Sequence, residues 1–183
     1  MEFREMNVQL RQIGGESADL AQLEEINAEA IPEEERVSLE DMGATGAEII
    51  GIYAGGEPAG FLTVRHYRQI HYLAFLAVRK DLRSLGIGSM AVKALIRMHP
   101  DQQNVVEYEA PEREASADDI KARRKNFYLR NGFYETGWNT HYDGTEFEIG
   151  CSDPDFDADA FKEFSKYLET IVSDHIPRPY RKN

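Results

Sequence analysis

Apolar positions along the chain change period several times, and each change marks an element. Between Asn7 and Ile13, the apolar Val8, Leu10 and Ile13 are interleaved with polar residues before Gly14-Gly15, the pattern of a strand ending in a turn. After Ser17, a good helix N-cap, Leu20, Leu23, Ile26 and Ala30 recur at helical spacing and predict an amphipathic helix that stops before Pro32. The stretch Pro32-Glu33-Glu34-Glu35-Arg36 reads as the start of a second helix, with proline in the first turn and carboxylates at its positive end.

From Ala47 the period becomes two. The run AEIIGIYAGGEPAGFLTVRHY predicts two antiparallel strands joined at Gly55-Gly56. His71 to Val78 is almost wholly apolar, as expected of a strand covered on both faces at the centre of a sheet. A glycine-containing loop follows, then a helix with Met90, Ala91, Ala94, Leu95 and Met98 facing inward, then a strand over 104–110. Strand, helix and strand in that order predict a parallel pair joined by a right-handed crossover. A helix over 117–131 stops at Gly132, and strands over 133–136 and 141–149 lie around Trp138. A last amphipathic helix starts near Asp157 and carries Phe161, Phe164, Leu168 and Val172 towards Pro177.

These elements define an α/β fold with a central mixed sheet of about seven strands, helices on both faces and an extra C-terminal helix. At 183 residues the chain is expected to form one domain over 1–183 around one core. A net charge of −12 argues against nucleic acid as partner, since affinity for phosphate backbones comes from clustered Lys and Arg. The charged N-terminal stretch lacks the apolar run of a secretory signal, and no segment approaches a membrane span. The one cysteine, Cys151, suits a reducing compartment and a buried apolar role, so a cytoplasmic location is expected.

Chemistry concentrates first at Arg83-Ser84-Leu85-Gly86-Ile87-Gly88, between a strand and a helix. Gly86 and Gly88 permit a tight turn, and amides at the start of the following helix converge on one spot, which favours an anion such as phosphate. The same pattern also serves as a simple turn. It lacks the ending of a P-loop and the spacing of a dinucleotide fold.

The Arg-x-x-Gly-x-Gly at 83–88, placed after the strand Tyr72–Val78, resembles the acetyl-CoA pyrophosphate loop of the GNAT acetyltransferases. Asn126-Phe127-Tyr128-Leu129-Arg130-Asn131-Gly132-Phe133 resembles the second signature of that family, in the correct order. The resemblance is specific over about residues 70–137. It implies acetyl-CoA as cosubstrate and an amine as acceptor. It also implies a splay between the parallel strands that admits the pantetheine arm. Backbone groups of Leu76, Ala77 and Val78 would bond that arm as an added strand does. Main-chain amides of Leu85, Gly86, Ile87, Gly88 and Ser89 would hold the pyrophosphate, with Arg83 and Ser84 completing the loop and Arg83 able to pair with a phosphate.

Tyr128 matches the family tyrosine that protonates the departing thiolate, and a phenol with an ordinary pKa of about 10 carries its proton at neutral pH. A packing role is the alternative. Glu107 and Glu109, two apart on the predicted strand, share a face and are candidates for the general base, or for ion pairs with Arg123, Arg124 or Lys125. Lys121-Ala122-Arg123-Arg124 departs from the family pattern, so side-chain contacts to the cofactor from that helix are not carried over. The histidines at 66, 71, 99, 141 and 175 have no metal-ligand spacing, and no metal is expected. A non-catalytic acyl-CoA-binding protein of the same fold is the competing reading. The acceptor's identity, and whether the C-terminal helix builds a homodimer, are left open by the sequence.

Overall fold

The computed structural model describes residues 7–183; the opening residues 1–6, which entered the reading of the N-terminal stretch, lie outside it. In chain order the elements are β1 (Val8–Gln12), α1 (Asp19–Ala30), α2 (Leu39–Ala44), β2 (Glu48–Ala54), β3 (Glu57–Tyr67), β4 (Ile70–Val78), α3 (Ile87–Met98), β5 (Gln103–Glu109), α4 (Ile120–Arg130), β6 (Tyr134–Tyr142), β7 (Thr145–Cys151), α5 (Ala158–Glu169) and β8 (Tyr180–Arg181). The strands form one mixed sheet in the order β1-β2-β3-β4-β5-β7-β6-β8, an eighth strand being the short β8 beside β6. β4 and β5 are its parallel pair, as the strand-helix-strand order requires.

The chain divides into two compact units, one comprising the residues up to Arg65 with Leu73–Met98, the other His66–Tyr72 with His99–Asn183. The first unit has its own core of Leu23, Ile26, Leu39, Met42, Ile49 and Phe61, on which the apolar stripe of α1 rests. The second gathers Ile70, Val105, Ile149 and Cys151 under Phe161 and Phe164 of α5. Burying each such phenylalanine is worth about 1.5–3 kcal/mol. Val105 meets α5, whereas Tyr108, on the other face of β5, stacks on Tyr128 of α4. Helices therefore cover both faces of this part of the sheet.

Two local expectations are corrected. Pro32 does not open a helix: Glu33–Glu35 make a single 3-10 turn, and the second helix begins at Leu39. Ser38 is the real cap, its hydroxyl accepting from the Asp41 amide at 3.0 Å, while the Glu24 carboxylate takes the Leu39 and Glu40 amides at 2.6 and 3.2 Å. The closing strands do not break around Trp138 either. β6 runs through it with a bulge between Glu135 and Asn139, Gly137 standing at φ +75°. The reversal comes at Asp143-Gly144, with φ +46° and +84°, the two positive values of a tight hairpin turn. No helix among the described residues is long and apolar enough to cross a membrane.

Candidate active site

In the first unit the site residues lie along β4 and the turn after it. Further along β4 than its parallel pairing with β5 at Ile70–Tyr72, Leu76, Ala77 and Val78 run beside β3. That side is close-packed: a Cβ added to Gly60 would stand 2.2 Å from the Ala77 carbonyl oxygen, and the Arg79 amide donates to Ala59 O at 2.7 Å. The chain then makes a 3-10 turn over Lys80–Leu82 and an exposed turn in which Ser84 and Gly86 take φ +67° and +78°. Met90 N donates to Gly86 O at 3.0 Å, so the amides of Ile87 and Gly88 precede that intrahelical bond. Ile87 is buried and anchors the turn, while Leu85 stands half exposed at its tip. Arg83 folds back instead of extending: its Nε donates to Val78 O at 3.1 Å and braces the turn against the end of β4.

In the second unit the chemistry centres on β5, whose alternate residues face opposite ways. On one face, the carboxyl group of Glu107 is buried and accepts hydrogen bonds from the hydroxyls of Tyr72 at 2.5 Å, Tyr142 at 2.8 and 3.1 Å, and Thr140. Burial pushes its pKa above the usual carboxylate range; the three hydroxyls and the nearby His175 oppose that shift only in part. Glu109, on the same face, is part exposed and pairs with Lys121 at 3.3 Å. Lys125 pairs instead with Glu135 and Glu148, at 2.5 and 2.7 Å. The two glutamates that the strand pattern joins are thus chemically distinct.

On the other face of β5 lies Tyr128. α4 is capped by Asp119, whose carboxylate accepts from the Lys121 and Ala122 amides, and it closes with Phe133 N donating to Tyr128 O at 3.2 Å around Gly132 at φ +104°. This end fixes the Tyr128 ring, stacked on Tyr108 at 6.0 Å and edge-on to Phe133 at 5.6 Å. Burial pushes its phenol up to about 12, with Arg124 acting weakly the other way. Among the described residues the buried Tyr108 hydroxyl has no hydrogen-bond partner. No cluster of three or more His, Cys, Asp or Glu side chains gathers among the described residues as metal ligands would.

Sequence reasoning singled out Glu107 and Tyr128 but missed Tyr72, Thr140, Tyr142 and Tyr108, which surround them. The signal for two of these was present: Asp143-Gly144 between alternating residues marks a hairpin, and on its first strand Thr140 and Tyr142 share a face.

The acetyltransferase (GNAT) family model matches residues 18–133. Among solved structures, a protein from Bacteroides thetaiotaomicron described as a GNAT-family acetyltransferase is 22% identical, covering 88% of this chain and 94% of its own at a TM-score of 0.68. The ribosomal-protein-S18-alanine N-acetyltransferase of Escherichia coli is 18% identical, covering 79% and 92% at 0.61. A GNAT acetyltransferase from Elizabethkingia anophelis with acetyl-CoA bound is 14% identical, covering 79% and 97% at 0.57. No curated protein sequence matches the chain.

Proposed function

The chain belongs to the acetyltransferase (GNAT) family, and we propose that it is an acetyl-CoA-dependent N-acetyltransferase that moves the acetyl group directly to an amine in a ternary complex. One observation carries the reading. Glu107 and Tyr128 serve opposite faces of the same strand, a proton acceptor on one and a proton-bearing phenol on the other. Such a pair suits a reaction in which the nucleophile loses a proton on one side of a reacting carbon and the leaving group is met on the other.

When bound, acetyl-CoA supplies the activated thioester. The main-chain amides of Leu85 through Ser89 hold its pyrophosphate, with Ser84 and Gly86 setting the turn. Backbone groups of Leu76, Ala77 and Val78 orient the pantetheine arm and place an amide against the developing oxyanion. Arg83 supports the turn through Val78 O, and its guanidinium adds positive charge beside the phosphates. Glu107 takes the proton of the arriving ammonium, and its upward-shifted pKa brings it closer to the operating pH than an ordinary carboxylate. Glu109, neutralised by Lys121, is the weaker candidate for that role. Tyr128 meets the departing sulfur. At about 12 against about 8.5 for an ordinary thiol, complete transfer of its proton would be uphill by roughly 5 kcal/mol. The phenol therefore donates a hydrogen bond to the sulfur as the C–S bond breaks and keeps its own proton, and the proton shed by the new amide nitrogen is the one that ends on the thiolate. The proposed setting is the cytoplasm, where the buried thiol of Cys151 needs no disulfide partner.

The test is thiol release from acetyl-CoA across an amine panel. Amine-dependent release is expected, reduced about 10²-fold by Glu107→Gln while acetyl-CoA still raises Tm. Binding of acetyl-CoA without amine-dependent release from the native protein would overturn the catalytic reading and leave a binding protein.

A further inference from the structure

Glu107 presents a difficulty as a base. Both its oxygens are occupied by hydroxyls, one by Thr140 and Tyr142 and the other by Tyr72 and Tyr142, so an arriving amine meets a hydroxyl before the carboxylate. Any proton reaching it must pass through one of those hydroxyls. Thr140 is fully buried. The Tyr72 ring is enclosed by Phe161 and Phe164, at centroid distances of 6.2 and 5.3 Å. Tyr142 differs from both. Part-buried like Tyr72, it does not pack into the Phe161 and Phe164 core as Tyr72 does; it stands last on β6 beside the Asp143-Gly144 turn, with Phe147 edge-on at 5.3 Å and the ring of the exposed His175 at 6.0 Å. Its hydroxyl reaches both Glu107 oxygens, a position from which one proton can leave as another arrives.

We infer that Tyr142 is a catalytic residue that contacts the acceptor nitrogen and relays its proton to Glu107. The step balances. The ammonium N–H proton passes to Tyr142 Oη as the Tyr142 O–H proton passes to a Glu107 oxygen, leaving a neutral amine, a neutral phenol and a protonated carboxyl. The amine lone pair then forms the C–N bond and the C–S bond breaks. Glu107 returns its proton to solvent by the same route. Burial and the Glu107 charge both hold the Tyr142 phenol far above its ordinary pKa, so the residue hands protons on and does not ionise itself. The inference rests on Glu107 being the base.

The experiment compares Tyr142→Phe, Glu107→Gln and the double variant at saturating acetyl-CoA, following kcat for the best amine as a function of pH. The ring and its contact with Phe147 survive in Tyr142→Phe. A relay predicts that each single variant loses about 10²-fold in kcat, that the double loses no more, and that all recover partly at high pH, where the amine arrives neutral. Glu107→Gln impaired with Tyr142→Phe within twofold of native would overturn the relay while sparing the base. An unimpaired Glu107→Gln would overturn both. If Tyr142→Phe lowers Tm, 3-fluorotyrosine at position 142 keeps the hydrogen bonds and acidifies the phenol. A relay then shifts the pH–rate profile, whereas an unmoved profile refutes it.

Discussion

In the first unit, the turn from Arg83 to Ser89 presents main-chain amides from one contiguous stretch, held in place by Ile87 beneath and by the bond from Arg83 to Val78 O. In the second, Glu107 is held by hydroxyls from Tyr72 of β4 and from Thr140 and Tyr142 of β6, more than thirty positions away in sequence. One site is made of backbone conformation and the other of side-chain encounters. The first can therefore tolerate side-chain change wherever φ is preserved. The second can lose its chemistry to the removal of one oxygen with the fold intact.

The largest effect that tests this contrast is on the side-chain side. Tyr128→Phe keeps the stack on Tyr108 and the edge contact with Phe133 and removes only the hydroxyl. The expected result is a loss of about 10²-fold in kcat, or about 2.7 kcal/mol of barrier, with the acetyl-CoA KM unchanged. Steady-state kinetics at saturating acceptor measure it. Full activity would make Tyr128 a packing residue and leave the side-chain region without its acid.

A smaller effect is expected from the backbone region, and it should depend on conformation rather than on bulk. A Cβ on Gly86 would meet nothing within 4 Å, yet its φ of +78° disfavours L side chains. Gly86→Val should cost about 1–2 kcal/mol, paid locally in a displaced turn, and weaken acetyl-CoA binding about tenfold. Gly86→Asn should bind within a few-fold of native, because asparagine tolerates the left-handed region. Calorimetric titration with CoA separates the two. Equal losses in both variants would mean that space, not φ, defines the cradle.

The same contrast decides what could be read from the sequence. Gly55-Gly56 gave the first hairpin and Gly86 the phosphate turn, because a positive φ and a two-residue reversal are properties of adjacent residues; the structure places both glycines of the pair at +61° and +87°. Asp143-Gly144 carried an equally local signal, but the expected break near Trp138 masked it; the bulge at Gly137 disturbs the alternation there without ending the strand. At Pro32 a local preference lost to tertiary structure, since Glu24 of α1 supplies the amides of Leu39 and Glu40 with a cap that Pro32 lacks. Glu107 and Glu109 were legible as a pair on one face. What separates them, three hydroxyls for one and Lys121 for the other, depends on which strands lie alongside, and no local pattern encodes that.

The smallest expected effect concerns what the Glu107 network costs the fold. Its carboxyl group has a pKa raised above the unfolded value of about 4.3, chiefly by burial. Between those two values the folded chain retains a proton that the unfolded chain has released, so stability falls as pH rises through that window and levels off above the folded pKa. Glu107→Gln removes this dependence while keeping a polar group that the hydroxyls of Tyr72, Thr140 and Tyr142 can meet by rotating. Its Tm relative to native should therefore be lowest near pH 4 and climb towards neutrality, reaching or exceeding the native value. Each kcal/mol of relief would read as about 2–4 °C in a chain of this size. Paired thermal melts from pH 4 to pH 8 check the sign. A native protein that gained stability relative to Glu107→Gln as pH rose would mean that the hydroxyls outweigh burial, and that Glu107 is a structural anion too acidic to collect a proton from an amine.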